Sequence, residues 1–205
     1  MTALSRSPYN LRQWVLTYLQ SAVPPLITQA RIDWGKDAFS LPNIQDYDVY
    51  DLPMTNLYPA IGFYLQNDVN FDHRDFSDRM EEEYWRKYQG TVTVWVQTPY
   101  TDADGHLPAN ARDEAIRLRD DLVELVGQAL LLTPSLGHPD EAWLEESSIA
   151  VNRFDPMRAK ENSPAWLCGA NIPVVYNVKS HLVRAAMGAA NTIHVVPSIH
   201  PAEMP

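Results

Sequence analysis

An α+β fold, with helices packed on one face of a sheet, is predicted by three features of the chain. Residues 8–30 and 110–132 carry apolar side chains at helical spacing, and four other stretches read as strands. The strands fall at 59–67, 88–98, 142–154 and 166–183, which gives the order α-β-β-α-β-β. Two ββ units and two helices of this length can share a single core, and 45% hydrophobic residues supply enough apolar surface to fill it. One domain is therefore expected over residues 1–184. It carries an acidic loop insertion at 33–58 and an acidic hairpin tip at 68–83, and an extended C-terminal arm follows at 185–205.

The first helix, in "PYNLRQWVLTYLQSAVPPLITQA", is set by Leu11, Val15, Tyr18, Leu19 and Ala22. Pro8 precedes it, Asn10 offers a cap, and Pro24 and Pro25 are expected to stop or kink it. Residues 33–58 hold Pro42, Pro53, Tyr47, Tyr50 and Tyr58 and have no apolar period. A connector this long marks a functional loop or a partner-binding arm. "PAIGFYLQN" then reads as a strand. "FDHRDFSDRMEEEYWRK" follows as a charged loop or hairpin extension, and "YQGTVTVWVQT" returns as the second strand. Val92, Val94 and Val96 share one face of that strand, and Thr91, Thr93, Trp95 and Gln97 share the other. The second helix presents Ala115, Leu118, Leu122, Leu125, Val126 and Ala129 on its inner side. Asn110 is a candidate cap, and Asp113–Arg117 and Arg117–Asp121 are candidate surface pairs. Pro134 and Gly137 end it. The last strand, "WLCGANIPVVYNVKSHLV", contains Pro173, which suggests an edge or a bulge.

The net charge is −10, and its placement is uneven. Residues 33–83 hold nine Asp and three Glu against Lys36, Arg74 and Arg79, a local charge of −9. A phosphate-binding surface needs the opposite sign, so this segment repels nucleic acid, meets a basic partner, binds cations or is simply a solvated loop. The chain has no run long and apolar enough for a membrane span and no signal-peptide pattern at its start, so a cytosolic site of synthesis is expected. The single Cys168 excludes an internal disulfide framework and a multi-cysteine zinc site.

Catalytic signals are weak. "DHRD" at 72–75 with Asp78 gathers a His and three carboxylates, but its spacing matches no calcium or zinc pattern. Glu81–Glu83 are surrounded by charge, whereas acid–base work needs a desolvated carboxylate. Cys168 lies within a strand with no adjacent His, which reads as a buried structural thiol. "TPSLG" at 133–137 lacks the first Gly of a nucleophile elbow. The six His show no HExxH or HxH spacing. Of the six Trp, Trp95 stands on the otherwise polar face of its strand, while Trp34, Trp85, Trp143 and Trp166 flank loops or strand ends. Aromatics so placed either cover the sheet locally or serve interfaces. No catalytic residue, cofactor or metal ligand is assigned.

"GTVTVWVQT", a polar turn, "AIRLRDDLVELVGQALLLTPSLG" and two more strands together resemble the tail-terminator and tail-completion proteins of tailed bacteriophages. The resemblance spans roughly residues 8–183 and rests on element order and the strand–helix pairing. It implies a structural virion protein, made in the host cytoplasm, that forms a six-fold ring of identical subunits at the head-proximal end of the tail. Such a ring ends tail-tube polymerisation. Its expected partners are further copies of itself, the tail-tube protein, the neck or connector protein and, in a contractile tail, the sheath. DNA passes through the lumen without specific binding, and no membrane is involved. Asp68, Asp72, Asp75, Asp78, Glu81, Glu82 and Glu83 are then candidates to face the channel or tube. Trp34, Tyr47, Tyr50, Trp85, Ile193, Val195 and Ile199 are candidate partner contacts. The insertion at 33–58 and the long arm depart from the family pattern.

Three other readings stay open on the sequence. One is another neck, head–tail connector or collar protein. The second is a metal-dependent hydrolase or nuclease using the carboxylates of 68–83, which requires several of them to converge on a cleft. The third is a host-derived binding module with no viral link.

Overall fold

The computed structural model describes residues 8–47, 57–71, 81–98, 110–159 and 165–183. Helix α1 (Pro8–Asp33) buries Leu11, Val15, Leu19, Val23, Ile27 and Ala30, a stripe at three- and four-residue intervals. Of the expected stop or kink at Pro24–Pro25, the stop does not occur, and the helix is continuous through both. Each proline withholds one N–H, which would have met the carbonyls of Gln20 and Ser21. Both of those residues are exposed, so water can serve their carbonyls. Fully buried Val23 and Ile27 hold the turn in place on either side. Gly35, at φ 63°, takes the left-handed conformation just past the helix end.

The sheet begins with a hairpin of β1 (Ala60–Phe71) and β2 (Glu81–Gln97), as expected, but with longer strands. The stretch read as a charged loop or hairpin extension gives much of its backbone to the sheet, as the second of these. Pairing with a third long strand, β6 (Trp166–Val183), runs without a break from Glu81↔Val183 to Gln97↔Leu167. That continuous ladder fixes the extension despite the charge. β1 has register shifts between Leu65 and Asn67 and between Asp68 and Asn70.

Helix α2 (Ala111–Leu132) buries the whole predicted stripe and Arg119 as well. Asn110 makes no side-chain cap, and its carbonyl accepts the Glu114 N–H at 3.0 Å. The surface pairs with Arg117 are replaced by others. Asp121 engages Lys36 from the loop after α1, and Asp113 lies 3.8 Å from Arg112.

The expected strand at 142–154 is broken into pieces. β3 (Ala142–Leu144), a 3₁₀ turn at Glu146–Ser148, β4 (Asn152–Arg153) and β5 (Met157–Arg158) follow one another along the outer edge of β6. The sheet order is β1-β2-β6-β3, all antiparallel, with β4 and β5 on the β3 side. Pro173 explains the interruption. The Val175 N–H, two residues on, points to that outer edge and donates to Ser148 Oγ at 2.9 Å. By strand alternation the nitrogen of Pro173 points the same way, into the gap between β4 and β3. It has no proton to give there, so no strand pairs.

Both helices lie on one face of the sheet. They enclose Phe63, Val92, Val94, Val96, Cys168, Ile172, Val174 and Tyr176 in a single core. The first half of the acidic insertion belongs to this body. Leu41 is fully buried, Arg31 holds its carbonyl at 2.8 Å, and Ile44 and Tyr47 pack on the core. Residues 33–47 are therefore anchored and not a free arm.

Candidate assembly surfaces

Beyond Tyr88 and Tyr176, the last large core residues on their strands, β1, β2 and β6 continue as a three-stranded extension. β2 runs seven residues past Tyr88, about 23 Å at the usual rise. Asp68 stands on β1 opposite Tyr88. Glu81, Glu82 and Glu83 stand on β2 opposite Val183, Leu182 and His181, and Trp85 opposite Lys179. Asp72, Asp75 and Asp78 lie outside the described residues, as do Tyr50, Ile193, Val195 and Ile199. Of the acids grouped from the sequence as one hairpin tip, four thus stand on strands.

A second surface lies after α1. Ile32 is 72% exposed, Phe39 70% and Trp34 41%. Lys36 Nζ lies 5.4 Å from the Trp34 ring. Asp37 shapes the turn by accepting the N–H groups of Phe39 and Ser40, and the bonds to Ser40 hold its carboxyl below its ordinary range. Trp34 is thus exposed at the surface. Tyr47 is half-buried, its hydroxyl has no hydrogen-bond partner, and burial pushes its pKa up to about 12. Ile32 and Phe39 escaped the sequence reading. Ile32 falls outside the Ile27–Ala30 stripe, and that was the available signal.

A third surface is the sheet face turned away from both helices. Thr91, Thr93 and Trp95 form a row down β2, at 1%, 0% and 4% exposure, yet their two hydroxyls and the indole N–H have no partner. Trp95 lies across Gly169 on the neighbouring strand and stacks on Phe154 at 5.6 Å, so it covers the sheet locally. Tyr64, Pro173 and Val175 beside the row are half-buried, and Trp143 further along is 49% exposed.

Buried polar groups elsewhere serve the fold. Arg119, 5% exposed, donates from Nη1 to the Phe154 carbonyl at 2.9 Å and lies 3.3 Å from Cys168 Sγ. Its Nε and Nη2 reach Asp120, which also meets Arg153. Burial pushes the Cys168 thiol up from its ordinary pKa, against Arg119, which pulls it down. A buried protonated thiol is a poor nucleophile, in line with a structural role. Among the described residues, no three His, Cys, Asp or Glu gather as a metal set, and no helix is long and apolar enough to cross a membrane.

No protein-family model and no curated protein matches this chain. The surfaces themselves therefore carry the functional argument: a three-stranded extension, an apolar knuckle at 32–39 and the sheet face turned away from α1 and α2.

Proposed function

We propose that this chain is a structural virion protein that forms a ring at the head-proximal end of a phage tail. There it ends tail-tube growth and joins the tube to the neck. The observation that carries the reading is the pairing of a packed two-helix body with a long three-stranded extension, which bears Asp68 and Glu81–Glu83 beside Arg86, Lys87 and Lys179. An acidic lumen lets a DNA duplex slide where a basic one would grip it. The acids of 68–83 are placed toward the channel or the tube. The knuckle at Ile32, Trp34 and Phe39 gives a subunit contact of the heterologous kind that closes a ring, one patch meeting a different patch on the next copy. Trp85, Tyr47 and Tyr50 are further contacts to neighbouring copies or to neck and tube proteins.

Light scattering after size exclusion, with negative-stain images of the main peak, tests the reading. Closed rings with a central hole are expected, alone or on the ends of added tail tubes. A monomer that also fails to bind tube ends overturns it. A melting temperature raised several degrees by magnesium or manganese would instead favour carboxylate-based metal chemistry.

A further inference from the structure

We infer that the helix-free face of the sheet is the seat of the chain's own C-terminal arm, with residues 193–199 lying over the row Thr91–Thr93–Trp95. The inference concerns the single chain and does not depend on ring formation.

Three observations meet here. The first is the row itself. Three polar side chains, each at least nine-tenths buried, lack hydrogen-bond partners in the middle of a face that neither helix covers. Native buried donors and acceptors are almost always paired. A polypeptide crossing the row brings backbone carbonyls, the acceptors that an indole N–H and two hydroxyls need. The aromatic and aliphatic borders of the row, Tyr64, Pro173 and Val175, remain only half-buried, so the face has apolar area left to cover.

The second observation is the sequence beyond β6. Residues 185–205 hold a single charged side chain, Glu203. Within them Ile193, Val195, Pro197 and Ile199 alternate with Thr192, His194, Val196 and Ser198. An extended segment of that pattern has one wholly apolar side, which suits a sheet face. The third is reach. β6 ends at Val183 opposite Glu81, at the far end of the sheet extension. Thr91 lies ten positions back along β2, about 33 Å at the strand rise. A chain that turns at 183 and runs back extended covers that distance in about ten residues, which brings it to Ile193. The other face is filled by α1 and α2, so the return path lies on the helix-free side.

The test uses the full chain with one cysteine pair at a time. Gln89→Cys with Asn191→Cys matches the return path, and Gln89→Cys with Glu203→Cys does not. Gln89 is half-buried on the same face, and buried Cys168 is left in place. A bis-maleimide spanning roughly 10 Å, the spacing of packed layers, is applied to dilute monomer. The matched pair is expected to give about tenfold more single-chain crosslink than the mismatched pair, read by intact mass and peptide mapping. Comparable yields, or crosslinks that join two chains, overturn the inference. A second variant keeps it falsifiable if a cysteine disturbs folding. Ile193→Asp/Val195→Asp/Ile199→Asp is expected to lower the melting temperature by about 5 °C and to raise binding of an apolar-surface dye. An unchanged melt with unchanged dye binding overturns it as well.

Discussion

Two glycines show how much a single methyl group decides in this protein. A Cβ on Gly169 would stand 2.4 Å from Cε3 of Trp95, a ring held between that glycine and Phe154. Neither can give way without losing the stack, so Gly169→Ala is expected to cost roughly 1–3 kcal/mol. In a chain of this size that lowers the melting temperature by about 2–12 °C. Gly127, inside α2, meets nothing within 4 Å of its would-be Cβ. Gly127→Ala is expected to stabilise by up to about 1 kcal/mol, because alanine loses less backbone freedom in a helix. Thermal melts of the two variants should therefore move in opposite directions. Glu145 allows a test by pH. Hydrogen bonds from Lys87, at 2.5 Å, and from Asn177, at 3.1 Å, hold its carboxyl below the ordinary value of 4.5. A depressed carboxyl stabilises the fold above its unfolded pKa, and that contribution fades as pH falls through the folded value. Glu145→Gln should therefore flatten the acid side of the stability profile. Lys87 is half-exposed, so the difference is only a few tenths of a kcal/mol, roughly 1 °C.

Whole elements show where local pattern decides structure and where distant partners do. The α2 stripe and the Val92–Val94–Val96 alternation were legible because burial follows the periods of 3.6 and 2. The pieces of 142–158 were not. Their breaks answer to Pro173 and Val175 on β6, some 20–30 positions away in sequence, and to the Ser148 hydroxyl that serves Val175. The acids of 68–83 were counted correctly but not placed. Four of them join strands because β6 pairs with Glu81–Glu83 and Tyr88 opposes Asp68, contacts that local charge does not reveal. The same limit applied to α1, where propensity predicted a break and packing of Val23 and Ile27 overrode it. That override implies a stored cost. Pro25 is exposed and its ring withholds the bond to Ser21. Pro25→Ala restores the bond, partly offset by a more flexible unfolded chain. A net gain of about 1–2 kcal/mol is expected, raising the melting temperature by about 2–8 °C. A melt lowered by the substitution would mean that the proline ring itself packs on a neighbour.

At the scale of the whole molecule, charge and shape separate. The packed body is close to neutral outside residues 33–83, and the excess negative charge is confined to that quarter of the chain. If the acids of the extension line a DNA path in the proposed ring, their function is to repel, and repulsion can be reversed by substitution. Asp72→Lys/Asp75→Lys/Asp78→Lys changes the local charge by +6 per subunit. The melting temperature of the variant is expected to stay within a degree or two of the parent. The parent is expected to show no retention of linear duplex DNA near physiological salt. The variant is expected to retain it, with an affinity that falls steeply as salt rises, because each phosphate contact releases counterions. Assembled rings should hold the duplex far more firmly than isolated subunits, since several basic loops then face one path. Rings and single subunits that retain DNA equally would place these acids on an outer rim. That outcome would leave the ring standing and remove the channel role from the acidic extension.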